Sequence, residues 1–173
     1  NAGNWSQPVE DYLIVYENAK YKVLAQGQIL LGKDINLPFL EAQSGPTKAR
    51  FGLLVHYDKN NIVTQNSGLN FKYKTGIKCG NPKKATNCHT FSINSSSIDW
   101  VTSDNGIKTK AIAQGKAAMM FDQQNSNIVF RATVDSVTNS FDLKIYKQNG
   151  NPDRDTPLYN LKSNINKGTI KIK

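Results

Sequence analysis

Strict alternation of apolar and polar residues, repeated in one segment after another, limits this chain more than any other feature. In ARFGLLVHY, Ala49, Phe51, Leu53, Val55 and Tyr57 share one face. LNFKYK sets Leu69, Phe71 and Tyr73 against Asn70, Lys72 and Lys74. IVFRATV sets Ile128, Phe130, Ala132 and Val134 against Val129, Arg131 and Thr133. FDLKIY sets Phe141, Leu143 and Ile145 against Asp142, Lys144 and Tyr146, and the closing GTIKIK turns Ile170 and Ile172 one way and Lys171 and Lys173 the other. Successive side chains of a strand point to opposite faces, so a period of two describes a strand with one dry and one wet side. Antiparallel sheets are built from such strands.

Further strands are expected at DYLIVYE, YKVLAQGQILL, HTFSIN, SIDWVT and KTKAIAQGKAAMMF. Residues 112–121, rich in Ala and Met, would also suit a helix. A strand is preferred, because Ala113, Gly115, Ala117, Met119 and Phe121 fall on one face and Gly115 weakens a helix. Turn-forming clusters such as SGPT, DKNN, QNSG, SDNG and NGNPDRD separate the segments. Many short strands at near-regular spacing predict an all-β fold, an antiparallel β-sandwich of about nine to ten strands. The 173 residues suit one domain, 1–173, with 1–10 as a loosely ordered N-terminal segment. No apolar run approaches the ~20 residues that span a bilayer. The opening NAGNWSQPVED reads as a mature or trimmed end.

The charge balance adds a class of partner. Lys and Arg number 22 against 13 Asp and Glu, a net charge of +9, which steers the chain toward polyanions. Only Arg50, Arg131 and Arg154 are arginines. Bidentate reading of phosphate prefers the arginine fork, so a nucleic-acid partner is disfavoured. From Lys59 to Ile98 there is no acid, while lysines stand at 59, 72, 74, 78, 83 and 84.

In the middle of that window, KCGNPKKATNC holds both cysteines of the chain. Cys79 and Cys88 lack the CxxC redox spacing and cannot supply the four ligands of a structural zinc. They are read as a structural disulfide formed in an oxidising compartment, against the alternative of two free cytosolic thiols. Such a bridge would hold Lys83 and Lys84 still at the loop tip, lowering the ordering cost of binding an anion. Lys72 and Lys74 lie on the outward face of the strand leading in. The candidate ligand-binding residues are therefore Lys72, Lys74, Lys78, Lys83 and Lys84. The competing reading is a solvated lysine loop that keeps an edge strand from pairing with neighbours.

Laid end to end, YLIVYE, KARFGLLVHYDK, GLNFKYK, FSINSSSIDWV, GIKTKAIAQGKA, VFRATV, FDLKIY, PLYN and KGTIKIK resemble a known module. It is the β-sandwich found near the C-terminus of many large secreted bacterial surface proteins, after PKD or immunoglobulin-like repeats, the post-PKD or post-choice-of-anchor type. The resemblance covers most of the chain. It rests on fold signatures rather than catalytic motifs and transfers no functional residue. It implies a sandwich and export from the cell. Two departures stand out. Gly27 is alone in AQGQI where relatives often carry a glycine triplet, and the cysteine loop is an insertion between FKYK and FSIN. Insertions of that kind are where binding is added to a scaffold.

Catalytic patterns are weak. His56 alternates outward in LLVHYD and His89 follows Cys88, with no G-x-S-x-G turn to supply a nucleophile. The carboxylate pairs Glu10–Asp11 and Asp153–Asp155 lie in turn-like contexts. Asp153 in NGNPDRDTP is a faint calcium-loop candidate, but the stretch lacks the length and the bidentate Glu of such a loop. A plain Asn/Asp/Pro turn is preferred. Trp100 reads as half-buried, Trp5 as exposed or stapling the N-terminal end, and Tyr12, Tyr16, Tyr57 and Tyr73 as core. No exposed aromatic row suggests a neutral-glycan lectin. The sequons at Asn4 and Asn94 matter only in a glycosylating host.

The sequence thus points to a secreted, non-catalytic binding module. It would attach to acidic or sulfated glycans or lipid headgroups through its lysines, with no cofactor and no metal. The alternative is a structural module of a surface assembly with a protein partner and no soluble ligand. A hydrolase stands third. The sequence does not indicate an oligomeric state.

Overall fold

The computed structural model describes residues 22–32, 35–38, 40, 46–58, 60, 62–77, 86–104 and 107–173. The side chains of 76, 77, 86, 87, 104 and 107 are outside that description. The strands are β1 (Val23–Leu31), β2 (Thr47–Val55), β3 (Gly68–Ile77), β4 (Thr86–Asp104), β5 (Ile107–Phe121), β6 (Gln124–Asp135), β7 (Ser140–Lys147) and β8 (Tyr159–Ile172). Each pairs antiparallel with the next, and β8 returns to β1. The sheet is therefore a closed up-and-down barrel of eight strands.

This corrects the expected open sandwich of nine to ten strands. Alternation makes the same demand in both architectures, one dry face and one wet face. The difference is the partner of the last strand. KGTIKIK lies against β1, with Val23 opposite Ile172, Ala25 opposite Ile170 and Gly27 opposite Gly168. The ends of the described chain also meet there, as the Lys22 and Lys173 backbones exchange two hydrogen bonds of 3.0 Å. The strand count differs for a second reason. HTFSIN and SIDWVT, expected as two strands, are one 19-residue strand, β4. Bulges between Ser95 and Ser97 and between Ile98 and Trp100 bend it and shift its alternation. At that bend the β4 backbone lies so close that a Cβ on Gly115 would collide with the Ser97 carbonyl oxygen.

The expected strand DYLIVYE and segment 1–10 lie outside the described residues, as do Trp5, Tyr12 and Tyr16. The disulfide-closed loop expected from Cys79 to Cys88 is likewise no part of the described fold. Cys79 lies outside the described residues, while Cys88 is exposed near the start of β4 and is not a free thiol.

The dry faces fill the barrel. An eight-strand barrel is just wide enough for side chains to occupy its interior. Phe51 stacks on Phe141 at 4.2 Å between ring centroids, Tyr73 stacks on Phe91 at 5.0 Å, and Phe71 meets both Phe91 and Tyr73 edge-on. Ala49, Leu53, Leu69, Ile93, Ala113, Phe130, Leu143 and Ile145 complete the interior. On β5, Ala113 and Ala117 are buried while Lys116 and Met120 are exposed, so the strand reading of 112–121 holds.

Loops close the two ends. At one, Leu37 and Leu40 of the β1–β2 connection are buried, and the Tyr73 hydroxyl donates a 2.8 Å hydrogen bond to the Pro38 carbonyl. Burial, with a smaller contribution from Tyr159, pushes the Tyr73 phenol up from its ordinary range, so it stays a donor. At the other end, Tyr57 bridges Val63. The β7–β8 connection folds against the outside of the barrel beside Tyr146. Tyr146 and its cross-strand neighbour Val129 are consequently buried although both alternate outward.

Candidate functional site

Closure puts β8, β1, β2 and β3 side by side as one continuous half of the barrel wall. These four strands contain no Asp and no Glu. They carry Lys48 and Arg50 on β2, Lys72 and Lys74 on β3, and Lys162, Lys167 and Lys171 on β8, all exposed. The acids of the described strands, Asp99, Asp104, Asp135 and Asp142, belong to β4, β6 and β7. The +9 charge is therefore distributed unevenly around the barrel.

Register determines which cations meet. Lys167 lies opposite Gln28, Gln28 opposite Arg50, Arg50 opposite Lys72, and Lys72 opposite Ser92. Directly opposed residues have Cβ atoms roughly 5 Å apart, and like charges in that position destabilise the sheet. Among the described residues no ion pair to an acid offsets the Arg50–Lys72 opposition. Lys48 and Lys74 follow two residues along their strands, about 7 Å further on. Lys162 differs from the rest, because it lies opposite Asp142 on β7.

Of the residues singled out from sequence, Lys72 and Lys74 stand exposed on this wall, as expected. Lys78, Lys83 and Lys84 lie outside the described residues. Arg50, Lys48 and Lys167 were not singled out. Alternation marks each as outward, but their convergence on Lys72 follows only from the register. The barrel also removes the edge-guarding reading of the lysines, because the described strands form a closed sheet with no open edge.

Other polar clusters are tied into structure. His89 and Asp122 do form a histidine–acid pair, Nδ1 to Oδ2 at 2.8 Å. They are 34% and 40% exposed, at the end of the barrel where His89 pairs with buried Thr75 and stacks on Phe121. The second Asp122 oxygen accepts from the Thr90 amide, and the Asp122 amide donates to the Thr90 carbonyl. Asp122 is the turn residue between β5 and β6, with φ at 50°, so the carboxylate anchors the hairpin to β4. The His89 bond first, and the Thr90 amide second, hold its carboxyl below the ordinary value. His56 is half-buried, and its backbone exchanges hydrogen bonds with the Ser67 hydroxyl.

Asp153 and Asp155 have protein partners of their own. Arg131 Nη2 donates to Asp153 Oδ1 at 2.7 Å, and the Asn151 amide donates to Asp155 Oδ2 at 2.7 Å. This is the Asn/Asp/Pro turn read from sequence. No group of three or more His, Cys, Asp or Glu with metal-holding geometry occurs among the described residues. Arg131 also sits 5.5 Å from the ring centre of Trp100 and donates twice to Gln114 Oε1. Trp100 is half-buried, as expected.

No family model, no curated protein and no solved structure matches this chain. Nothing in the comparisons identifies a post-PKD-type module, and the sandwich that resemblance implied is replaced by the barrel. Among the described residues no helix is long and apolar enough to cross a membrane. The barrel interior is apolar, and its outward positions mix charged, polar and apolar residues, among them exposed Leu24, Leu30 and Met120.

Proposed function

We propose that this chain is a secreted, non-catalytic module that attaches to anionic surfaces through the wall formed by β8, β1, β2 and β3. One observation carries the reading. Four neighbouring strands present seven exposed cations, from Lys48 to Lys171, without a single acid. A bound polyanion would offset the like-charge opposition of Arg50 and Lys72. Acidic or sulfated glycans and lipid headgroups both supply such charge. The attraction from exposed cations is long-ranged and screened by salt. A structural module joined to neighbours by strand-edge pairing draws no support from a sheet whose described strands close on themselves.

The test is retention on immobilised heparin and on anionic vesicles across a salt gradient. The wild type should be retained at low salt and released steeply as salt rises. Arg50→Glu/Lys72→Glu should elute far earlier. Lys83→Glu/Lys84→Glu, in parallel, asks whether the cysteine loop extends the same surface. Retention of the Arg50/Lys72 variant equal to wild type at low salt would reject the proposal.

A further inference from the structure

The basic wall contains a notch. A depression of about 430 Å³ lies over Gly52 in the middle of β2. Gly52 faces outward between Arg50 and Leu54, and a Cβ built there would meet nothing within 4 Å. The missing side chain itself makes the recess. Gln26 on β1 and Asn70 on β3 stand directly opposite Gly52 on its two sides, and Asn94 on β4 continues the row. Gln26, Asn70 and Asn94 are all exposed. Leu24, 37% exposed, and Leu54 border the recess on the side away from Arg50.

The chemistry is specific. An amide side chain offers donors and an acceptor together, the pairing that a sugar hydroxyl also offers. The leucines supply an apolar surface for the C–H face of a pyranose ring. Arg50 and Lys72 stand two residues along the same strands, about 7 Å from Gly52 and Asn70. A hydroxylated ring in the notch would bring a carboxylate or sulfate, its own or that of the next unit, to those two cations. A planar lipid surface would meet the protruding lysines but would not reach the recessed Gly52.

We infer that the Gly52 notch is a subsite for one sugar unit of an acidic or sulfated glycan. Gln26, Asn70 and Asn94 engage its hydroxyls, and Arg50 and Lys72 its anionic group. The inference rests on the anionic-surface reading above and selects glycan over lipid.

Gly52→Val tests it. Valine fills the recess, collides with nothing at Cβ and suits a strand, so the barrel should remain intact by circular dichroism. Asn70→Leu is a second variant that removes amide chemistry without filling the floor. Protein made in a non-glycosylating host is titrated with heparin-derived hexasaccharides, with oligogalacturonates and with phosphatidylglycerol vesicles. Each notch variant should bind at least one of the two oligosaccharides about tenfold more weakly and leave vesicle binding unchanged. Arg50→Glu/Lys72→Glu should weaken oligosaccharides and vesicles alike. Unchanged oligosaccharide affinity in both notch variants overturns the subsite while the wall reading stands. Wild-type binding to vesicles but to neither oligosaccharide does the same. A charge variant that binds every probe like wild type overturns both.

Discussion

Gly27 on β1 and Gly168 on β8 face each other across the seam that closes the barrel. A Cβ on Gly27 would lie 2.5 Å from the Lys167 carbonyl oxygen. One on Gly168 would collide with the Gln26 carbonyl oxygen and lie 2.6 Å from Gly27 Cα, and the Gly168 backbone adopts φ +155°. The first and last described strands thus join at a point where two backbones touch and no side chain fits.

Gly168→Ala should therefore lower the free energy of unfolding by roughly 2–3 kcal/mol, through collision and strain. Gly52→Ala has open space around it and should be neutral or raise stability by about 0.4–1 kcal/mol through the unfolded chain. Urea unfolding of the two variants side by side checks the contrast. Equal losses would mean that the seam is not a tight contact.

Asp142 gives a pH prediction with a definite sign. Burial pushes its carboxyl above the ordinary value of 3.8, although Lys144, Lys162 and Lys110 pull it back. The folded protein therefore holds this proton to higher pH than the unfolded chain does. The group's stabilising contribution is full below 3.8 and is lost as pH rises through the folded value. Asp142→Asn should gain on the wild type at neutral pH, with the gain vanishing below the unfolded value. Asp122, held low by His89, should behave in the opposite way: Asp122→Asn costs stability at neutral pH, and the cost fades as pH falls through the folded value. Melting temperatures of both variants from acid to neutral pH decide the matter, and parallel curves would contradict it.

Arg131 clasps the β7–β8 connection to the outer wall through Gln114, Asp153 and the Trp100 ring. Arg131→Lys keeps the charge but loses the planar fork and the ring contact, and should cost about 1 kcal/mol. Limited proteolysis between Asn149 and Leu158 should quicken in parallel. Asp153→Ala should do less, because that carboxylate is 69% exposed. A lysine variant with unaltered cleavage would show that the loop is held by Tyr146 and its neighbours instead.

Much of the barrel was legible in the sequence, and what was not has identifiable causes. Phe51, Phe71, Ala113 and Phe130 face inward because alternation through β2, β3, β5 and β6 is uninterrupted. β4 reads as two strands because the bulge at Ser95–Ser97 brings Ile98 inward, out of step with Phe91 and Ile93, before the bulge at Ile98–Trp100 restores the phase at Val101. Tyr146 read as outward because alternation within β7 carries no information about a connection that folds over it. Barrel and sandwich were indistinguishable strand by strand. What separates them is the pairing of Gly27 with Gly168, and a lone glycine in AQGQI does not announce its partner. The candidate site was half legible for the same reason. Lys72 and Lys74 were apparent as outward lysines, whereas Arg50, Lys167 and the Gly52 notch acquire meaning only from their neighbours on other strands.

The mutual hydrogen bonds of Lys22 and Lys173 have a practical side. Lys22 and Lys173 lie side by side at one end of the wall, so the described barrel has both its ends at a single stem. It could be grafted into a surface loop of another protein without prising its wall apart. Sewing residues 22 and 173 together and reopening the backbone at the Ser136–Asn139 turn should give a rewired chain that refolds to the same barrel.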